Sequence, residues 1–227
     1  MRTRAAAYCA MRRAESIPPA ADVARRLRAA GVALPERQVE LLARFLELLV
    51  RWNRVYTLTG IRDTGALVDR HLVESLALRP LLHGERIADV GTGAGLPGLP
   101  LAITEPERSF TLIESRAKRV RFLRQAIAEL ELRNALVAHG RAEDLRPEPP
   151  FATVLARAVA PPSELLAVSR NLTAPGSILL VLTAAHLEAQ FAQAAPDFVP
   201  RAAVWGGASK LKSSIVMLER IDVQAEG

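Results

Sequence analysis

The stretch Ile87-Ala-Asp-Val-Gly-Thr-Gly-Ala-Gly-Leu-Pro-Gly98 decides the fold. It opens as a short apolar run carrying one acid, Asp89, and glycines then stand at 91, 93 and 95, with a fourth at 98. Glycines at every second position let the backbone turn sharply and approach a ligand where a side chain would collide. Pro97 suits the first turn of a following helix, where a missing N–H has no intrahelical partner to lose. Strand, glycine turn and helix in that order form the opening unit of a nucleotide-binding α/β sheet.

Downstream of this unit the rhythm alternates. Apolar runs at 86–90, 110–113, 135–138, 154–159, 178–182 and 214–218 are separated mostly by helical patterns, which predicts a mostly parallel, doubly wound sheet covered on both faces. The last run follows Gly206-Gly207 and is expected to be an antiparallel edge strand. Upstream, Val39, Leu42, Phe45, Leu46, Leu49 and Val50 fall on one face of a helix expected over 35–55. With further helices expected over 22–30 and 64–78, residues 21–84 form a small helical cap ahead of a Rossmann-like domain over 85–227. Residues 1–20 carry four arginines and one acid and are expected to be a poorly ordered extension.

Composition narrows the partners. A formal charge of +6 points to an anionic partner such as nucleic acid, although the excess is nearly all arginine, which a GC-rich genome also favours. A single cysteine, Cys9, leaves no internal disulfide and fits a reducing cytoplasm. His71, His83, His139 and His186 show no metal-ligand spacing, so no metal is expected. No run of about eighteen apolar residues suggests a membrane span.

The glycine turn by itself leaves two cofactors open. Gly93, Gly95 and Gly98 satisfy the dinucleotide pattern, and Glu114 lies where a ribose-holding acid belongs, so a nicotinamide-dependent oxidoreductase is one reading. Asp89 favours S-adenosylmethionine, because a carboxylate suits a cationic amino-acid tail and repels a pyrophosphate. Ligands of doubly wound sheets bind beyond the carboxyl ends of the strands, and informative residues recur there. Glu114 is placed to accept from a ribose diol, Glu143 or Asp144 from an adenine amino group, and the Ala142 N–H to donate to the ring. Arg157 lies within the fourth strand. The segment 116–124 packs five cations into nine residues. Val120, Leu123, Ile127 and Leu130 mark its buried stripe, so Lys118, Arg121 and Arg124 project outward, either as a solvated face or toward RNA phosphates.

A specific resemblance joins these pieces. Arg51-Trp-Asn-Arg-Val-Tyr-Thr-Leu-Thr59, Arg70-His-Leu-Val-Glu-Ser75, the glycine stretch from Asp89, Lys118-Arg-Val-Arg-Phe-Leu-Arg124 and Ala156-Arg-Ala-Val-Ala160 together resemble the RsmG (GidB) family. Its members are bacterial enzymes that methylate N7 of a guanine in 16S ribosomal RNA. The resemblance spans about 34–220 and implies a Rossmann-like methyltransferase fold, S-adenosylmethionine as cofactor and small-subunit ribosomal RNA or its assembly intermediate as partner. It also implies cofactor contacts at Gly91, Leu96, Ala142, Glu143 and Arg157. The chain departs from the family pattern at Thr57, Glu74, Ala152 and Thr183; a lysine common at the last position could be replaced functionally by Lys210 or Lys212.

The expected cofactor set is therefore Asp89, Gly91, Gly93, Gly95, Leu96, Glu114, Ala142, Glu143 and Arg157. RNA contacts are expected at Arg70, His71, Lys118, Arg121 and Arg124. Glu74, beside His71, is the candidate for reading the guanine N1 and N2 protons. A monomer in the cytoplasm is expected; a non-catalytic RNA-binding protein retaining the fold is the remaining alternative.

Overall fold

The computed structural model describes residues 17–61, 63–157, 161–183, 190, 191, 193, 196–204 and 213–222. Cys9, His186, Gly206-Gly207, Lys210, Lys212 and residues 158–160 of the last motif lie outside the described residues, as do 1–16. Helices α1 (Ala20–Ala29) and α2 (Glu36–Asn53) lead the chain. A third, α3, covers 64–76 in three parts: α-helical over Thr64–Leu67, π-helical over Val68–Val73 and α-helical again over Glu74–Leu76. Strands β1 (Arg86–Val90), β2 (Ser109–Glu114), β3 (Ala135–His139), β4 (Thr153–Arg157) and β5 (Ile178–Thr183) then alternate with helices. Those helices are α4 (Gly98–Thr104), α5 (Ala117–Glu129) and α6 (Pro162–Leu172), and β6 (Phe198–Val204) and β7 (Ser214–Arg220) complete the sheet.

The strand order is β3-β2-β1-β4-β5-β7-β6. The first five strands run parallel, β7 runs antiparallel to β5, and β6 antiparallel to β7. The 214–218 run is therefore antiparallel, as expected, but it lies inside the sheet; β6 holds the edge. Pro200 explains both the edge placement and the omission of this strand from the sequence reading. It lacks a ladder donor, which an edge tolerates, and the register shifts between Pro200 and Ala202.

Alternate side chains of the parallel strands enter two separate cores. Ile87, Leu112, Leu155 and Leu180 face α2 through α5, where Phe45, Leu46, Leu49, Leu72, Leu99 and Leu123 join one continuous cluster. Ala88, Val90, Val154, Ala156 and Leu179 face α6 through Leu165, Leu166 and Leu172. The apolar stripe of α2 thus packs the helical segment against the same sheet that carries the glycine turn. Pro97 stands one residue before α4, as its N-cap.

Candidate active site

Register fixes where the site must form. Val90 pairs with Ile113 on one side and Ala156 on the other, so Gly91, Glu114 and Arg157 emerge side by side, one residue past that level row. The strand order reverses between β1 and β4, the point at which such sheets open a crevice.

Two clefts meet there. One, of about 210 Å³, is lined by Val90, Gly91, Glu114, Ala142, Glu143 and Leu165 among others. The second, of about 520 Å³, takes in Leu58, Thr59, His71, Gly93, Leu96, Arg119 and Arg157. Gly91, Glu114 and Ser115 border both, so the two are lobes of one site across the sheet's end.

Most of the expected cofactor set faces these lobes, but Asp89 and Gly95 line neither. Asp89 is 1% exposed and points into the turn, where its Oδ2 accepts from the Gly98 N–H at 2.8 Å and the Thr92 hydroxyl at 2.6 Å. Its first effect is to close the glycine loop. Gly95 has φ +80°, and a Cβ there would lie 2.3 Å from Leu99 Cδ1, so this glycine serves loop packing against α4.

Glu114 combines both duties. It is 4% exposed; Oε2 accepts from the Gly93 N–H at 3.1 Å and Oε1 from the Arg116 N–H at 2.8 Å, while the carboxylate still borders both lobes. Arg119 Nη1 stands 3.4 Å from Oε2.

Under the second lobe lies a charged layer that single-residue reading could not assemble. Glu74, only 1% exposed, sits 3.3 Å from Arg157 Nη2 and 3.8 Å from Arg70 Nε. Its carboxylate is held between two arginines and lines neither lobe, which corrects its assignment as the guanine reader. Arg70 borders neither lobe; its Nε faces Glu74 at 3.8 Å while 40% of its side chain stays exposed. His71 does line the lobe; its Nε2 is 3.0 Å from Thr59 Oγ1. Burial, reinforced by the nearby Arg157 charge, lowers its pKa to about 4, so the ring is neutral at neutral pH.

Four buried polar atoms in this layer have no hydrogen-bond partner: Asp89 Oδ1, Arg157 Nη1, His71 Nδ1 and Arg70 Nε. Buried polar atoms are seldom left unpaired. Asp89 Oδ1 is an acceptor, the two arginine nitrogens are donors and His71 Nδ1 is either according to its tautomer, a set that complements a zwitterion, an ammonium next to a carboxylate. The amino-acid tail of S-adenosylmethionine has that form, and Glu114 in the adjoining lobe offers the acid a ribose requires. The residues present fit the cofactor.

Burial raises the Asp89 pKa to about 7, against the opposing hydrogen bonds from Thr92 and Gly98. Between pH 4 and 7 the folded protein then keeps a proton that the unfolded chain has released. Stability contributed by this site falls as pH rises through that window, and the penalty is complete above it. Asp89→Asn keeps one oxygen able to accept both bonds, so its chemical-denaturation midpoint should lack this fall. A wild-type midpoint parallel to that of the variant from pH 5 to 8 would contradict the assignment.

Comparison with known proteins decides the family. The family model described as "rRNA small subunit methyltransferase G" (GidB) matches residues 38–203. The chain belongs to this family.

Relatives named ribosomal RNA small subunit methyltransferase G agree. That of Halorhodospira halophila is 46% identical over 168 residues, 74% of this chain and 80% of the relative. The Laribacter hongkongensis protein is 40% identical over 171 residues, 75% and 83% of the two chains. Among solved structures, a putative O-methyltransferase from Klebsiella pneumoniae aligns with TM-score 0.60 at 16% identity, covering 87% of this chain and 95% of that one. The O-methyltransferase TomG from Streptomyces achromogenes, solved in complex with S-adenosylmethionine, aligns with TM-score 0.57 at 16% identity, covering 88% and 96%. These two share the Rossmann-like methyltransferase fold.

The family motifs have physical reasons in this ribosomal RNA methyltransferase. Asn53 Oδ1 accepts from the Leu58 and Thr59 N–H groups at 2.8 and 3.0 Å, and so holds those two residues on the cleft wall. Trp52 stacks with Tyr56 at 5.4 Å and meets Phe122 of α5 edge-on at 5.7 Å, tying the helical segment to the basic helix. The π-helical stretch carries His71, and Ser75 Oγ donates to the His71 carbonyl at 2.5 Å. Lys118, Arg121 and Arg124 are exposed, with Lys118 Nζ 5.9 Å from the Tyr56 ring centre. The departures at Ala152 and Thr183 lie outside both lobes. No helix among the described residues is long and apolar enough to cross a membrane, and no group of three or more His, Cys, Asp or Glu among them could hold a metal ion.

Proposed function

We propose that this chain transfers a methyl group from S-adenosylmethionine to N7 of a guanine in 16S ribosomal RNA, in the cytoplasm. The observation that carries this reading is the level row of Gly91, Glu114 and Arg157 at the sheet's switch point, in a member of a small-subunit ribosomal RNA methyltransferase family. When bound, the cofactor supplies an electrophilic methyl on a sulfonium. Glu114 would hold the ribose, Ala142 and Glu143 the adenine side, and Asp89 with Arg157 the charged tail.

Guanine N7 carries an in-plane lone pair and no proton, so no group has to remove one at the attacking atom. The groups at the cleft supply no strong base: burial and the Arg157 charge lower the His71 pKa to about 4, which leaves its ring a weak proton acceptor, and the Glu74 carboxylate faces Arg157 and Arg70. Rate then comes from positioning and electrostatics. Any base-holding donor must leave N7 free, which excludes the bidentate arginine contact to O6 and N7.

Small-subunit RNA transcribed with 7-deazaguanosine, which has a C–H in place of N7, should accept no methyl group while normal RNA does. Methylation of the 7-deaza RNA at the wild-type level would refute attack from N7.

The exposed cations of α5 support an RNA phosphate contact. Replacing Lys118 and Arg121 together by glutamine should flatten the dependence of log affinity on log salt by roughly 1.5, at about 0.7–0.9 per lost contact, with cofactor affinity unchanged. An unaltered slope would remove α5 from the interface.

A further inference from the structure

Among the cations of α5, Arg119 is set apart by its contacts. Lys118, Arg121 and Arg124 are exposed, whereas the Arg119 side chain is 29% exposed and its Nη1 reaches 3.4 Å from Oε2 of the buried Glu114. The same nitrogen lies 3.6 Å from where a Cβ on Gly93 would stand, over the glycine turn. Arg119 therefore has one end on the cleft's acid and its stem on the helix whose other cations face solvent. It borders the large lobe together with Arg116 and Arg157.

Each of these contacts has a consequence for charge. The guanidinium neutralises part of Glu114 and occupies part of Oε2, the oxygen that also accepts from Gly93. It also adds a positive charge to a lobe that must accommodate a sulfonium cation. A phosphodiester arriving along α5 would compete with Glu114 for this partly exposed group. Charge-assisted pairing with phosphate is strong for arginine and can be bidentate.

We propose that Arg119 couples RNA occupancy to the cofactor cleft: an RNA phosphate draws its guanidinium from Glu114, which frees the acid and removes a repulsive charge facing the cationic methyl donor. The inference rests on the reading of the site as an RNA methyltransferase centre. It makes RNA favour a cationic cofactor over its neutral-sulfur product. It also obliges the cationic ligand to tighten RNA binding more than the neutral one does, by that same factor, since equilibrium coupling is reciprocal.

The test uses two unreactive probes, sinefungin, which carries an ammonium in place of the sulfonium, and S-adenosylhomocysteine, which does not. Their dissociation constants are measured by calorimetry on the whole protein, with and without small-subunit RNA or unmodified small subunits, whichever the wild-type protein methylates. For wild type, RNA should raise the preference for sinefungin over S-adenosylhomocysteine by roughly three- to tenfold. Arg119→Gln should show the raised preference without RNA and no further change with it; Arg119→Lys, which keeps the charge, should still respond. A wild-type preference indifferent to RNA overturns the proposal, as does a full response in Arg119→Gln or its loss in Arg119→Lys. Methylation of no guanine by wild type would instead bring down the functional reading itself, and the coupling with it.

Discussion

Glu74→Ala should lower the stability of the protein by about 3 kcal/mol, although Glu74 touches neither lobe of the cleft. Glu74 is 1% exposed, and its carboxylate stands between Arg157 at 3.3 Å and Arg70 at 3.8 Å. Removing one partner of a buried ion pair is costly because the other charge stays behind without compensation. Arg70, with 40% of its side chain exposed, can turn toward water, whereas Arg157 is 21% exposed and has β4 fixing its backbone. Arg157 bears most of the loss. Urea denaturation should show a midpoint lowered by about 1 M, and Glu74→Gln, which keeps an acceptor, should lie between the two. An unchanged midpoint for Glu74→Ala would mean that the pair contributes nothing, and that the arginine in the cleft is oriented by something else.

Asp89→Ala is the second large effect, and comparison with Asp89→Asn separates its two causes. In Asp89→Ala the Gly98 N–H and the Thr92 hydroxyl lose their common acceptor inside the protein. A buried donor left unpaired costs about 1–3 kcal/mol, so the alanine variant should be about 2–4 kcal/mol less stable than the asparagine variant. Gly98 also starts α4, and a Cβ on it would lie 2.4 Å from Leu112 Cδ2 and 2.7 Å from Asp89 Oδ2, so the turn has no room to close in another way. Calorimetric titration with S-adenosylmethionine should show affinity lost by about a hundredfold in Asp89→Ala, equivalent to about 3 kcal/mol. Asp89→Asn should bind more weakly than wild type but better than alanine, because it keeps the loop and loses only the charge. Equal affinities for the two variants would assign Asp89 a purely electrostatic role.

These two residues mark how far the sequence could be read. The glycine turn, the alternating runs and the wide apolar face of α2 made the α/β sheet and its helical segment legible, because each rests on local periodicity. β6 was not legible: Pro200-Arg-Ala-Ala203 has weak strand propensity, and it pairs only because β7 offers an open edge. The π-helical stretch left no mark on residue type, yet it carries His71 at the cleft. At the site, position along the chain put Glu114 and Arg157 at the strand ends that border the cleft and Asp89 ahead of the glycine turn, but could not say which way each side chain faces. Asp89 turned inward to the loop and Glu74 inward to two arginines, while Arg119, one residue from the predicted Lys118, turned to the acid. Asn53 was present in a quoted motif, but its grip on Leu58 and Thr59 appears only in three dimensions.

Chemical mapping of the RNA separates N7 methylation of small-subunit ribosomal RNA from every other outcome. Small subunits from cells lacking this protein are incubated with the purified chain and S-adenosylmethionine, and their RNA is treated with borohydride and aniline, which cleave at N7-methylguanosine. A new cleavage at a guanine, absent without the protein or the cofactor, is the predicted result. Methyl incorporation with no such cleavage, or no incorporation into the RNA at all, would contradict it.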